Sequence, residues 1–559
     1  MISDIWKRFE TNAARYPDKA AFIYFHKGIW ETVTYAQLLD LTNRIAHGLL
    51  ACRITSGMTA ALMTLPSVEF FALTFALLKL GIVPIIVDPA IGLKKVKASF
   101  KESKPDIFIG NTLTHTLRKL FGWGKESIKH NLSINQLLRI TNYELQTTDH
   151  WLLNTDSPAA IIYTSGSTGS PKGVLYNHGN FSAQLDLFQA TFNISPDEID
   201  LPAFPLYAII DVLLGVTSVI PDINFPVPGK TNPEKVIHAI QQFNVTNMFA
   251  SPVVLDILAK YYEQQWSSSF ERERETYRDH HLPSLKRVIT AGAPASTQLQ
   301  NRFRNVLGDE TSLFGIYGAT EALPIAKIES HEIFDIANKT AQGAGICLGK
   351  PVDGATVRII EITDSAIEAW QDSLEVQPNV IGEITVQGAA VTRVYFHRED
   401  ANRLAKIKMG DDVIHRMGDV GYFDEQGHLW YCGRKSHRVQ TNDIVMFTEQ
   451  IEGIFNEHAE IYRTALVGVN KEPVLWVEPR AKLRKSFGKI PVLTAPWQTS
   501  EVFVIQDKIK QELMELAKNH PQASKIRTFL FMKKFPTDVR HNSKIIREQL
   551  TLLAEKSIL

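Results

Sequence analysis

Two periods of hydrophobic patterning alternate along most of this chain. Strand-like runs at residues 20–25, 32–35 and 60–63 flank a stretch in which Leu38, Leu41, Ile45 and Leu49 recur at helical spacing. From residue 70 to 87 apolar character is nearly continuous, but Lys79, Gly81 and Pro84 interrupt it. That stretch divides into a buried helix over 67–80, with Ser67 as N-cap and Gly81 as C-cap, and a buried strand over 84–87, so no membrane span is expected. The alternation continues through strands at 106–109, 245–250 and 285–289, which predicts parallel sheet covered by helices on both faces. Residues 264–281, rich in serine and alternating charge, read as a solvated insertion.

After about residue 340 the texture shifts to short β-like runs at 355–362, 382–387 and 429–431, a small β subdomain. Beyond Gly433-Arg434 a compact unit follows: a helix near 449–456, strands at 463–469 and 474–477, a helix at 502–519, a strand at 526–532 and a final helix from Lys544. The basic run 482–489 reads as a solvated loop. The expected fold class is α/β: a large N-terminal domain, residues 1–434, of helix-covered β-sheets with a small β subdomain, and a smaller α+β C-terminal domain, residues 435–559.

Bulk properties narrow the partners. At 559 residues the chain exceeds one core. Lys+Arg and Asp+Glu are equal at 60 each, so no global field attracts nucleic acid. Cys52, Cys347 and Cys432 lie far apart, without metal-ligand spacing or a disulfide framework, which fits a reducing cytoplasm. The N-terminus lacks a basic start followed by an apolar segment, so no signal peptide is expected. With no transmembrane segment expected, contact with a membrane would be peripheral.

Candidate chemistry concentrates in Tyr163-Thr-Ser-Gly-Ser-Thr-Gly-Ser-Pro-Lys172-Gly173, set between the apolar run 159–163 and the extended run 174–176. Glycines that let backbone N–H groups turn inward, hydroxyl donors and one lysine suit a phosphate; a flexible Gly/Ser linker would not be pinned between strands. The spacing of Gly166 and Gly169, Pro171 before the lysine and the strand after it exclude a Walker A loop. Four shorter motifs are weaker alone. Thr290-Ala-Gly-Ala-Pro294 would admit a flat ring, or is a tight strand-end turn. Tyr317-Gly-Ala-Thr-Glu321 places an aromatic ring, a hydroxyl and a carboxylate on a turn, suited to base stacking and to Mg²⁺ beside phosphates. Arg416-Met-Gly-Asp419 offers an aspartate for ribose hydroxyls, or a plain turn aspartate. Gly433-Arg434 offers an arginine, or a solvated linker cation.

Together, in this order and over essentially the whole chain, the motifs resemble the adenylate-forming superfamily of acyl- and aryl-CoA synthetases, nonribosomal adenylation domains and luciferases. The resemblance implies a mobile C-terminal lid, ATP and Mg²⁺ as cofactors, and conversion of a carboxylate and MgATP to acyl-AMP and pyrophosphate. It implies that Thr164, Ser165, Gly166, Ser167, Thr168, Gly169 and Lys172 hold the β- and γ-phosphates. Ala291, Gly292, Ala293 and Pro294 would face adenine across Tyr317, with Gly318 and Ala319 beside it. Thr320 would contact the α-phosphate, Glu321 ligate Mg²⁺, and Asp419 and Arg434 hold the ribose. Asn542-Ser-Lys544-Ile-Ile-Arg547 resembles the segment bearing the lid lysine, so Lys544 would bridge acyl and phosphate oxygens; Lys172, Thr320, Glu321 and Lys544 form the implied catalytic set.

Departures from that pattern are specific. Pro205-Leu-Tyr-Ala208 stands where many relatives have P-L-F-H, so the gating histidine is missing. The hinge reads Gly433-Arg-Lys-Ser-His437, with Ser436 where an Asp or Lys is usual, and Asn442-Asp443-Ile444 replaces the K-G-Y-type turn of thioester-forming members. Ser543, not glycine, precedes Lys544. Adenylation residues are complete while the thioester-forming ones are altered. Within the superfamily the chain resembles the olefinic β-lactone synthetase branch, through runs such as His415-Arg-Met-Gly-Asp419 and Tyr431-Cys-Gly-Arg-Lys435. That branch implies a long-chain 2-alkyl-3-hydroxy acid substrate, closure of its adenylate to a β-lactone, and other olefin-pathway enzymes as partners. A fatty acyl-AMP or acyl-CoA ligase is the alternative. The base for ring closure is not readable; His415 and His437 each read more readily as structural.

Overall fold

The apolar run after Ser67 folds as a helix buried nearly all round. In the computed structural model, which describes residues 4–88, 91–140, 153–164, 171–223, 227–268, 282–293, 295–480, 483, 500–538 and 544–558, the helix Val68–Lys79 buries every residue but Glu69. Ser67 caps it by accepting from the Phe70 N–H. With helices Ile5–Arg15 and Tyr35–Ala51 it forms the middle of the molecule. This layer packs at once against strands of two sheets, through Ala21 and Phe22 on one side and Ala60, Leu62 and Ile107 on the other. A helix between two sheets has no solvent face, which explains why its sequence lacks amphipathic periodicity.

The seven-stranded sheet runs, in spatial order, Val394–Tyr395, Lys172–Asn177, Pro158–Thr164, Val83–Val87, Thr59–Met63, Ile107–Gly110, His130–Leu132. The nine-stranded sheet runs from Lys350–Pro351 through Ala322–Glu329, Ser312–Ala319, Arg287–Thr290, Asn247–Ala250, Ile199–Pro202, Thr217–Ile220 and Ala20–His26 to Ile29–Thr34. Their centres are parallel, as the patterning predicts. Their margins are antiparallel, beyond the parallel sheet that the alternation predicts: Pro158–Thr164 with Lys172–Asn177, Ser312–Ala319 with Ala322–Glu329, and Ala20–His26 with Ile29–Thr34 are hairpins. Their connections are too short for a crossover helix. Helix Pro252–Ser268 carries helical structure into the segment expected as a loop; residues 269–281 lie outside the described residues, as does the basic run 482–489 apart from Leu483.

A six-stranded antiparallel sheet, built on Asp412–Phe423 between Gly382–Gln387 and Leu429–Arg434, is the expected β subdomain. Beyond it, Ile461–Val469, Glu472–Pro479 and Thr528–Phe531 form a three-stranded sheet. One face packs on helices Thr448–Phe455 and Ser500–Ala517, the other on Arg547–Ile558. The last helix therefore starts at Arg547, not at Lys544 as the sequence suggests. The reason is local: an antiparallel bridge between Thr537 and Ile545, the Asp538 N–H donating to the Lys544 carbonyl, and the Lys544 N–H donating to the Asp538 carboxylate hold residues 544–545 extended.

Candidate active site

Three distant motifs converge where the nine-stranded sheet meets the six-stranded one. Tyr317, near the end of Ser312–Ala319, donates its hydroxyl to Asp419 Oδ2 at 2.7 Å. Asp419 and Arg434 are register partners on adjacent strands, and the Arg434 guanidinium lies 3.1 Å from Asp419 Oδ1. Asp419 is nearly fully buried. Burial raises its carboxyl pKa, while Arg434, the Tyr317 hydroxyl and the Lys544 charge each oppose that rise. The influence of Lys544 brings the C-terminal segment into the electrostatic neighbourhood of this carboxylate. Gly433, just before the arginine, has φ +133°, and a Cβ there would lie 2.3 Å from Thr448 Oγ1. Only glycine lets the arginine strand pass so close to the helix Thr448–Phe455.

The second half of the site lies across the Ser312–Ala319/Ala322–Glu329 hairpin. Tyr317, Gly318 and Ala319 are strand residues, and Thr320 and Glu321 form the turn, so the motif is a hairpin tip and not a free turn. Tyr176, on the Lys172 strand, donates its hydroxyl to the Thr320 carbonyl. Glu321 Oε1 accepts from the Tyr395 hydroxyl at 2.7 Å. Lys172 is not in the glycine-rich loop but at the head of the strand that follows, opposite Thr164 in the hairpin register. Its ammonium sits 5.0 Å from the centre of the Tyr395 ring. Burial lowers the Lys172 pKa, and the Glu321 carboxylate opposes this. Ala291, Gly292 and Ala293 follow the strand Arg287–Thr290, with Gly292 at φ +91°. Ser165, Gly166, Ser167, Thr168, Gly169 and Pro294 lie outside the described residues.

Several residues were not singled out from sequence. Tyr395 comes from the two-residue strand Val394–Tyr395, which pairs with Lys172–Asn177 across more than 200 residues of chain; no local motif marks it. Lys406 is almost wholly buried, donates to the Thr392 carbonyl and lies 5.6 Å from the same tyrosine ring. Burial pushes its pKa down to about 7, the Glu321 carboxylate opposing and the Lys172 charge adding to the shift.

In the unfolded chain a lysine stays protonated to about pH 10.4. Between the two values the unfolded state therefore binds more protons, and the penalty for burying Lys406 is relieved as pH rises. Lys406→Met removes that dependence. Its stability relative to the parent should be greatest at or below pH 7 and should decline toward pH 10 by up to about 1.4 kcal/mol per pH unit. Urea midpoints at about pH 7 and pH 9 read this directly.

Neither histidine considered as a base is placed for the task. His415 is sealed in its sheet with Nδ1 3.1 Å from the Ala405 carbonyl oxygen, and burial holds its pKa well below the usual histidine value. His437 is held at about 3 by burial, with the Arg547 and Arg434 charges adding, and its Nε2 lies 3.6 Å from Glu548. Ala208, which stands where the resemblance leads one to expect a histidine, is buried in the main core. Its neighbour Tyr207 stacks on Phe249 with ring centroids 3.4 Å apart, in an apolar cluster with Phe188, Phe192 and Ile289 that reaches Ala291 and Leu323.

At the hinge, Asn442 and Asp443 occupy a turn closed by the Thr441 hydroxyl, which accepts from the Asp443 and Ile444 N–H groups at 3.2 and 3.0 Å. This turn is satisfied without glycine. Ser436 is exposed on a short 3₁₀ segment, Lys435–His437.

Comparison with known proteins identifies the family. The AMP-binding enzyme family matches residues 9–396. Olefin beta-lactone synthetase of Xanthomonas campestris pv. campestris is 38% identical over 541 residues, covering 94% of this chain and 91% of that protein. The protein of the same name from Stenotrophomonas maltophilia is 37% identical over 545 residues, covering 94% and 92%. Among solved structures, the O-succinylbenzoate Coenzyme A synthetase of Bacillus subtilis in complex with AMP superposes with a TM-score of 0.73 at 22% identity over 97% of each chain. The amide bond synthetase of Marinactinospora thermotolerans gives 0.76 at 19% identity over 99% of each. At those identities the structures establish the fold. The family match and the identity over nearly the whole length establish more: the chain belongs to the AMP-binding enzyme family and is an ATP-dependent, adenylate-forming enzyme.

Proposed function

We propose that this enzyme activates a long-chain 2-alkyl-3-hydroxy fatty acid as its acyl-AMP and then closes it to a β-lactone, in the biosynthesis of long-chain olefins. The observation that carries the reading is the 38% identity to an olefin beta-lactone synthetase along 94% of the chain. The glycine-free turn at Asn442-Asp443 supports it, because a charged side chain stands where a thiol substrate would pass. The Tyr207–Phe249 cluster beside Ala291 supports an apolar acyl group.

In this reading Lys172, with Thr164, Ser165, Gly166, Ser167, Thr168 and Gly169, holds the β- and γ-phosphates. Ala291, Gly292, Ala293 and Pro294 face adenine across Tyr317, and Asp419 and Arg434 take the ribose. Thr320 contacts the α-phosphate. Glu321 is the one protein ligand assigned to Mg²⁺. Among the described residues no group of three His, Cys, Asp or Glu side chains forms a metal cage. A single carboxylate completed by phosphate oxygens and water is the kind of donor set Mg²⁺ accepts, and the ion would draw charge from the phosphates. Residues 435–559 act as a lid that brings Lys544 to the reacting oxygens.

In the second step the β-hydroxyl oxygen attacks the acyl carbon, the bond to AMP breaks, and the hydroxyl proton passes to solvent. An intramolecular nucleophile can have an effective molarity of about 10⁵ M or more, which helps offset ring strain. Incubation with ATP, Mg²⁺ and the hydroxy acid should release AMP and pyrophosphate and form the lactone. The 3-deoxy acid should give no lactone and at least about 100-fold slower turnover, its adenylate having no internal acceptor. Equal turnover of both acids, or acyl-CoA as the only product when CoA is supplied, would establish the alternative ligase reading.

A further inference from the structure

The outer face of the seven-stranded sheet carries a charge that the chain as a whole does not. Between residues 93 and 130 there are eight lysines and one arginine against three acidic residues, a net of +6 in a protein with 60 of each sign. Two of the three acids are partly buried and engaged by the fold, Asp106 also lying 3.9 Å from the Lys129 ammonium. Glu102 accepts from the Tyr163 hydroxyl at 3.0 Å and lies 3.4 Å from Arg398, and Asp106 accepts from the Thr59 N–H at 3.0 Å. The lysines turn outward. Lys94, Lys97 and Lys101 recur along the exposed side of helix Leu93–Ser103, while Val96 and Phe100 face the sheet. None of these three lysines has a carboxylate partner among the described residues.

The neighbouring helix, Thr112–Phe121, packs on the same sheet face through Leu117 and Phe121; a contact between Phe100 and Trp123, ring centroids 6.1 Å apart, joins the two helical segments. Its outer side holds Leu113 and Leu120, seven residues apart and therefore on one face, exposed by 65% and 73%. Leu120 is the most exposed large apolar side chain among the described residues. Leu93, at the start of the first helix, is exposed as well.

We propose that this two-helix face docks the enzyme on an anionic lipid bilayer. Its charge is complementary to acidic headgroups, and the protruding leucines reach the hydrocarbon boundary that an acidic protein or a nucleic acid does not offer. Lysine ammonium groups spread over two helices act as point charges on a diffuse negative surface, an attraction that salt screens within a Debye length. No described helix is long and apolar enough to cross a membrane, so the contact is peripheral. The inner end of the docking helix touches the catalytic sheet: Glu102 holds Tyr163, one residue before Thr164. Docking goes beyond the proposed reaction and does not depend on it.

The test is co-sedimentation of the full chain with large vesicles of phosphatidylcholine alone, or with about 30% phosphatidylglycerol. At about 0.1 M salt the anionic vesicles should bind at least about fivefold more protein, and about 0.5 M salt should release it. Lys94→Glu with Lys97→Glu and Lys101→Glu should weaken binding at least about tenfold. Leu113→Ser with Leu120→Ser should weaken it several-fold with the salt dependence kept. Both variants should keep the parent's circular dichroism and its ATP-dependent pyrophosphate release with a water-soluble acid. Equal binding to both vesicle types, no binding at low salt, or a triple glutamate variant that binds like the parent would overturn the proposal; the second outcome would leave an acidic protein as the occupant.

Discussion

Replacing Lys544 with alanine should lower ATP-dependent pyrophosphate release by about 10²–10³-fold, the usual cost of losing a positioned donor to developing negative charge. The prediction rests on how the segment is held. The Lys544 N–H donates to Asp538 Oδ1 at 3.2 Å, the Asp538 N–H donates to the Lys544 carbonyl at 3.0 Å, and Thr537 bridges Ile545. These contacts use the backbone and fix where the side chain begins. The Lys544 charge also opposes the burial-driven rise of the Asp419 carboxyl, after Arg434 and the Tyr317 hydroxyl. Lys544 is exposed, so the substitution should leave the unfolding midpoint unchanged. The KM for ATP should change much less than kcat, because the contact strengthens as charge builds at phosphorus. Unchanged pyrophosphate release in Lys544→Ala would refute the lid assignment.

The second large effect lies three residues further on. Arg547→Met should destabilise the fold by roughly 3–5 kcal/mol. The Arg547 guanidinium makes a bidentate contact with Glu452, at 2.6 and 3.0 Å, and lies 3.9 Å from Glu449. Burial pushes Glu449 up to about 7, with the Glu452 charge adding and Arg547 opposing. Removing the arginine leaves the buried Glu452 carboxylate and the partly buried Glu449 carboxylate without their shared cation, which costs more than the pair contributed. The loss should be greatest at alkaline pH, where both carboxylates must ionise, and should shrink as pH falls and they take up protons. Denaturant midpoints at about pH 6 and pH 8 should therefore differ less for the parent than for the variant. A pH-independent loss would indicate that packing, not charge, is at stake.

Much of this architecture is written locally in the sequence. The helix Val68–Lys79, its Ser67 cap and the strand Val83–Val87 follow from apolar runs and one hydroxyl residue. The hairpin around the glycine-rich loop follows from two apolar strands set close together. The motif pattern assigns Tyr317, Asp419 and Arg434 to one nucleotide site, and their side chains are in contact. Long-range pairings left no such mark. Tyr395 reaches Glu321 only because a two-residue strand adds to the sheet edge beside Lys172. Lys406 reads as one more surface lysine until burial lowers its pKa. The start of the last helix is not legible because a helical pattern around 544–546 gives way to an extended bridge with a segment whose pairing no periodicity encodes.

In the proposed reaction the acid is activated at its carboxylate as an adenylate and then attacked by its own hydroxyl. The most direct measurement uses substrate labelled with ¹⁸O in both carboxylate oxygens and follows the label by mass spectrometry. One labelled oxygen is expected in the released AMP and one in the lactone carbonyl, with an unlabelled ring oxygen that came from the hydroxyl. Unlabelled AMP, or a lactone that retains both labelled oxygens, would contradict it.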